Sequence, residues 1–225
     1  MTTAPFGRLI TAMVTPFKAD LSVDWAGVEK LATHLVSTGH DAIVVSGTTG
    51  EAPTTNDDEK DELIRVVKAT VGSKVKVIAG AGNNETPHSV EQAIHAQKVG
   101  ADGLLVVTPY YNKPPQAGIE AHFRAIADAV DLPVMMYDIP GRTGVEIETE
   151  TICRLAEHPK ISALKDAKSP QEKIITTVET LKKLLAQCDD KEAQAAWIVA
   201  EFAAVHRTLA EARENAAATC GGDGI

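Results

Sequence analysis

Six short runs of apolar, mostly β-branched residues recur at near-constant spacing, and this repeat restricts the fold more than any other feature of the chain. The runs are Leu9 to Val14, Ala42 to Val45, Val75 to Ala79, Gly103 to Val107, Val134 to Tyr137 and Ile161 to Leu164. Their starts lie 33, 33, 28, 31 and 27 residues apart, the length of one strand, one crossover helix and two loops. Helical patterns fill the gaps. Asp24 is placed to cap a helix that carries Val28, Leu31, Ala32 and Leu35 on one face, and Gly39 is placed to end it in a left-handed turn. Leu63, Val66, Val67 and Thr70 precede Gly72, and Thr86-Pro87 opens a helix running through Val90, Ala93, Ile94 and Gln97 to Gly100. A local echo supports the repeat: Gly39-His40-Asp41-Ala42 and Gly100-Ala101-Asp102-Gly103 share one helix stop and one strand start.

Strands alternating with helices predict an α/β fold with a parallel sheet. The runs are continuous rather than alternating, so both sheet faces are covered, as in a β/α barrel or an open doubly wound sheet. Periodicity alone does not choose between the two. About six parallel strands are countable, short of the eight that close a barrel. After Lys168 the strand pattern stops. Val178, Leu181, Leu184 and Leu185 form one helical stripe, Ile198, Val199, Phe202, Val205 and Leu209 another, before a glycine-rich end. The expected division is residues 1–168 as the portion carrying the site and 169–225 as a helical segment.

Composition removes several function classes. At 225 residues, 44% apolar and 24% charged, the chain has the balance of a soluble globular protein. No apolar stretch approaches the roughly 18 to 20 residues of a membrane span, and Met1 to Arg8 lacks a secretory pattern, so a cytoplasmic location is expected. Lys plus Arg number 22 against 31 Asp plus Glu, a formal charge of -9 that disfavours nucleic-acid partners. Cys153, Cys188 and Cys220 are far apart and read as reduced thiols. The histidines show no zinc spacing, with His34, His95 and His122 expected on helix surfaces, and no metal site is expected. There is no Walker loop, no Gly-x-Ser-x-Gly elbow and no Gly-x-Gly-x-x-Gly turn.

In parallel α/β folds, ligands bind beyond the carboxyl ends of the strands. The second run continues into Gly47-Thr48-Thr49-Gly50-Glu51, the fourth into Thr108-Pro109-Tyr110-Tyr111-Asn112, and the fifth into Tyr137-Asp138-Ile139-Pro140-Gly141-Arg142-Thr143-Gly144. The sixth ends in Lys165-Asp166. All three tyrosines of the chain thus fall on one rim. Ile161, Ala163 and Lys165 are expected to alternate onto one face of a buried strand. Desolvation lowers an ammonium's pKa from about 10.4, roughly 4 kcal/mol for three units, and the neutral amine is a nucleophile for carbonyls. A Tyr hydroxyl held by a Thr hydroxyl suits the proton transfers of Schiff-base chemistry, which nominates Tyr137 and Thr48. The glycines around Thr48 and Thr49 let N–H groups converge on a small anion, aided by the next helix start. Arg142, flanked by Gly141 and Thr143, is free to grip a second carboxylate.

These segments, together with Leu164-Lys165-Asp166-Ala167 and in this order, resemble the dihydrodipicolinate synthase family of pyruvate-dependent class I aldolases over about residues 6–168. The resemblance implies a (β/α)8-type barrel, here with about six strands, and an enzyme of lysine and diaminopimelate biosynthesis that condenses pyruvate with aspartate semialdehyde. It implies Lys165 as the Schiff-base residue, with Tyr137 relaying protons through Thr48 and Tyr111. Tyr111 would be donated by a neighbouring subunit of a dimer or tetramer. Thr49 and Gly47 would hold the pyruvate carboxylate, and Arg142 that of the semialdehyde. No cofactor is implied. Positions corresponding to inhibitor contacts in lysine-regulated members are Asp57, Lys60 and His88.

The family pattern would continue with a seventh and an eighth strand, whereas Ser169 onward has another pattern. Two other readings accompany the first. One is a catalytically silent barrel fragment acting as an assembly or regulatory subunit; the other is a different pyruvate-dependent aldolase.

Overall fold

The computed structural model describes residues 5–168. Within them six strands form one sheet in chain order, every neighbouring pair parallel: β1 (Ile10–Ala12), β2 (Ala42–Val45), β3 (Lys76–Gly80), β4 (Gly103–Val107), β5 (Val134–Asp138) and β6 (Ile161–Asp166). The crossovers carry α1 (Trp25–Ser37), α2 (Asp57–Val71), α3 (Thr86–Val99), α4 (Gln116–Ala129), the single turn α5 (Pro140–Thr143) and α6 (Thr149–Ala156). All six expected strands form, and the sheet with its helices is a half-barrel. The helical stripes expected between residues 169 and 225 lie outside the described residues.

Two apolar clusters flank the sheet. The larger joins Ile43, Val45, Val77, Leu104, Val106, Val134 and Met136 to the helices through Val28, Leu63, Val67, Ile119, Phe123 and Ile126. The other, on the opposite face, holds Phe6, Ala42, Val44, Ile78, Leu105, Met135, Tyr137 and Ala163. Alternate strand residues therefore enter alternate clusters.

The expected punctuation is observed. The Asp24 carboxylate accepts the Gly27 N–H at 3.2 Å, α1 buries Val28, Ala32 and Leu35, and Gly39 comes next at a φ of +86°. At the start of α2, Asn56 accepts the Glu59 N–H and Glu59 accepts the Asn56 N–H, a capping box. The Gly-x-Asp echo proves to be a strand-anchoring device. Asp41 accepts the Arg8 and Leu9 N–H groups at 2.7 and 2.9 Å, and Asp102 accepts the Val77 N–H at 2.8 Å. Each aspartate, placed just before its own strand, ties the backbone of the preceding strand or its approach.

Two expectations are corrected. Ile161, Ala163 and Lys165 do not share a face. Val134 pairs with Ile161 but Met135 with Ala163, so Ser162 is an extra residue, a β-bulge. Ile161 joins the helix-side cluster and Ala163 the opposite one. His122 is not on a helix surface. It is 2% exposed on α4, its Nδ1 2.9 Å from the Thr86 hydroxyl of α3, and burial pushes its pKa down to about 4. His34 and His95 are exposed, as expected.

Candidate active site

The last residues of β5 and β6 bring two side chains together. Tyr137 and Lys165 are register partners, and the Lys165 Nζ lies 4.2 Å from the Tyr137 ring centroid, well within the distance at which an ammonium is drawn to an aromatic face. Tyr137 is buried at 5% exposure, and its carbonyl accepts both the Thr108 N–H (3.1 Å) and the Thr108 hydroxyl (3.2 Å). Those bonds fix the Tyr137 backbone from the neighbouring strand. Lys165 is partly buried.

In front of Tyr137 opens a cleft of about 380 Å³, walled by the loops beyond successive strands: Gly47 and Thr48, then Gly82 and Asn83, then Tyr110, then Arg142 and Thr143. Glycine permits this convergence. A Cβ on Gly80 would stand 2.1 Å from the Ser46 carbonyl oxygen, and one on Gly82 2.5 Å from the Val107 nitrogen. The loops are also tied together, since the Asn112 side-chain amide donates to the Asn84 carbonyl at 2.9 Å.

The expected residues divide into two groups. Gly47, Thr48, Tyr137 and Arg142 line the cleft, and Lys165 sits against Tyr137. Thr49 is exposed and outside that lining, and Tyr111 is 87% exposed at a φ of 70°. The expected helix start near Thr49 is only a three-residue 3₁₀ turn, Ala52–Thr54; α2 begins later, and Asn56 already caps it.

The cleft is also lined by Lys60 and His88, which the resemblance named only as inhibitor-contact positions, and by Ser46, Asn83, Asn84 and Gln92, which sequence reasoning overlooked. Lys60, His88 and Gln92 form a network with Asp57 of α2. Its Oδ1 accepts from Lys60 (3.1 Å) and Gln92 (2.9 Å), and its Oδ2 lies 2.9 Å from the His88 Nε2. Hydrogen bonds from Gln92, His88 and Lys60 hold the Asp57 carboxyl far below the usual range. A polar residue on the solvent side of a helix looks the same in sequence whether it faces water or a neighbouring loop.

Among the described residues no group of three or more His, Cys, Asp or Glu is placed to hold a metal ion. Cys153 is a buried thiol, and Cys188 and Cys220 lie outside the described residues. No described helix is long and apolar enough to cross a membrane.

Comparison with known proteins extends the resemblance beyond the motifs. Residues 5–200 match the model of the Dihydrodipicolinate synthetase family, past Lys168 where the motifs end. The 4-hydroxy-tetrahydrodipicolinate synthase of Acidothermus cellulolyticus is 62% identical over 169 residues, 75% of this chain and 55% of that protein. A synthase of Streptomyces coelicolor is 62% identical over 164 residues, 73% of this chain and 55% of that protein. Among solved structures, the synthase of Cyanidioschyzon merolae with lysine bound aligns at a TM-score of 0.76 and 50% identity, covering 82% of this chain and 61% of that one. The Acinetobacter baumannii synthase complexed with pyruvate aligns at 0.77 and 40% identity, covering 80% and 61%. The chain spans about half the length of the curated relatives it matches. On sequence, on the order of its strands and on the residues at their tips, the chain belongs to the dihydrodipicolinate synthetase family.

Proposed function

We propose that the cleft is a Schiff-base site that condenses pyruvate with aspartate semialdehyde to 4-hydroxy-tetrahydrodipicolinate, as a step of lysine and diaminopimelate biosynthesis. The observation that carries this reading is the pairing of the Lys165 amine with the Tyr137 ring at the edge of an open cleft.

In the proposed reaction the neutral Lys165 amine attacks the ketone carbon of pyruvate. The carbinolamine oxygen takes a proton from the Tyr137 hydroxyl and leaves as water, giving the imine. The Tyr137 oxygen, now deprotonated, takes a methyl proton to give the enamine, whose carbon then attacks the aldehyde of the second substrate. Thr48 holds the Tyr137 hydroxyl in this relay, and Tyr111 completes it from a neighbouring subunit of a homodimer or homotetramer. The 87% exposure of Tyr111 in the single chain supports a role outside its own cleft. Gly47 and Thr49 hold the pyruvate carboxylate by N–H and hydroxyl donors, and Arg142, on the cleft wall, takes the carboxylate of the semialdehyde. No cofactor is proposed. Residues 1–168 are proposed as the portion carrying the site.

The test is borohydride trapping with pyruvate, the adduct located by peptide mass spectrometry. Label on Lys165, absent in Lys165→Ala, is expected. A protein that assembles with a complete homologue but takes no label would instead be the silent subunit. A labelled protein that cleaves a sugar acid and ignores aspartate semialdehyde would be another aldolase.

A further inference from the structure

Behind the Tyr137–Lys165 pair, on the helix-facing side of the same two strands, lies a second layer of charge. Asp138 and Asp166 are register partners one residue beyond that pair, and they are 0% and 4% exposed. The Lys168 side chain, 4% exposed, sets its Nζ 3.3 Å from Asp138 Oδ2 and 3.2 Å from Glu146 Oε2. Its backbone N–H donates to Asp166 Oδ1 at 2.9 Å. Asp138 Oδ1 accepts the Ile147 N–H at 3.3 Å, and the Asp138 carbonyl accepts the Ala167 N–H at 2.8 Å. Three segments therefore meet at Lys168: the end of β5, the end of β6, and the segment after α5 and its Arg142.

Burying charge is costly, and well-packed apolar side chains hold a sheet together at least as well as a buried ion pair. Stability alone does not account for this cluster. Its location does suggest a purpose, because Asp138 is the chain neighbour of Tyr137 and Asp166 that of Lys165. We propose that Lys168 is a positioning residue: by clamping Asp138 and Glu146 it fixes the height of Tyr137 against Lys165 and holds the Arg142 loop at the cleft. This inference rests on the Schiff-base reading.

The groups facing Asp138 are Lys168 beyond β6, Asp166 on β6 and Glu146 on the loop before α6. Burial raises the Asp138 carboxyl to about 6, against the pull of Lys168. Burial alone would lower the Lys168 pKa, but the Asp138 and Glu146 carboxylates outweigh it and raise it. As pH falls through this range Asp138 loses its charge and the clamp loosens, while Lys168 stays charged.

The experiment measures the rate of pyruvate labelling at Lys165 against pH and pyruvate concentration in the full chain. Lys168→Met is expected to slow maximal labelling by about ten-fold or more while the half-saturating pyruvate concentration changes by less than about three-fold, and Lys168→Arg to restore most of the rate. Asp138→Asn, which keeps an acceptor for Ile147, is expected to abolish the break in the rate profile near pH 6. Wild-type rates and an unchanged break in these variants overturn the proposal. If Lys168→Met does not fold, Asp138→Asn decides alone. If the wild type takes no label, the Schiff-base reading fails and the clamp is read from the Tyr137 ring signals by NMR, assigned with Tyr137→Phe. A shift with a midpoint near 6 that Asp138→Asn removes supports the clamp; a ring insensitive to pH across that range overturns it.

Discussion

Tyr137 faces Lys165 across β5 and β6 although Ile161, four residues before that lysine, faces the other way. A regular strand would put the two residues of β6 on one side. The extra residue Ser162 reverses the parity, so that Ile161 lies against the helices and Lys165 against the Tyr137 ring.

That bulge leaves a mark that stability measurements can read. The Ser162 hydroxyl is buried without a hydrogen-bond partner among the described residues. Ser162→Ala removes the orphan group, and urea denaturation is expected to show the variant equal to the wild type or up to about 1 kcal/mol more stable. A loss of more than about 1 kcal/mol would show that the hydroxyl has a partner.

The hydroxyl of Tyr137 is tested apart from its ring. Tyr137→Phe keeps the aromatic face beneath the Lys165 Nζ and removes the proposed proton relay. Rapid-mixing measurement of imine formation with pyruvate is expected to show a decrease of about 10²- to 10⁴-fold. An unchanged rate would take Tyr137 out of the chemistry.

Acid stability separates two buried groups of opposite sense. His122 falls from 6.5 to about 4 on folding, so its contribution is intact above 6.5 and is lost as pH drops toward 4. Asp138 rises from 3.8 to about 6, so its contribution is full below 3.8 and is lost as pH climbs through 6. Each is worth on the order of 3 kcal/mol at its limit. Between pH 7.5 and 4.5 the wild type is expected to lose stability relative to His122→Asn and to gain it relative to Asp138→Asn. Denaturation curves at the two pH values check both signs, and a reversal of either would refute the assignment.

The cap of helix α2 tests a local contribution to stability. Asn56→Ala removes the acceptor for the Glu59 N–H, and a loss of about 1 kcal/mol is expected by urea denaturation. A loss below about 0.3 kcal/mol would mean that the capping box contributes nothing here.

The features readable in the sequence are those that depend on local pattern. All six strands, the Asp24 cap and the left-handed glycines Gly39, Gly72 and Gly100 arise from residue type and spacing. Both members of the Tyr137–Lys165 pair are likewise evident, because strand tips are where such folds bind ligands. The bulge is not, since a period of two carries no sign of an inserted residue. Neither is the burial of His122, whose Nδ1 meets the Thr86 hydroxyl from 36 positions away while its Nε2 has no hydrogen-bond partner among the described residues. Lys168 and Asp138 escape notice for the same reason: thirty residues separate them, and only the folded sheet makes them neighbours.

The order of the sheet bears on how the polypeptide is made. Because each described strand pairs with the next one along the chain, a strand emerging from a ribosome finds a partner one crossover later rather than in a distant segment. Asp41 and Asp102 act as latches in this progression, each fastening the previous unit as the next one begins. Accretion from the amino end limits each closure to one crossover, with strand starts 27 to 33 residues apart, although parallel pairing of this kind remains intrinsically slow.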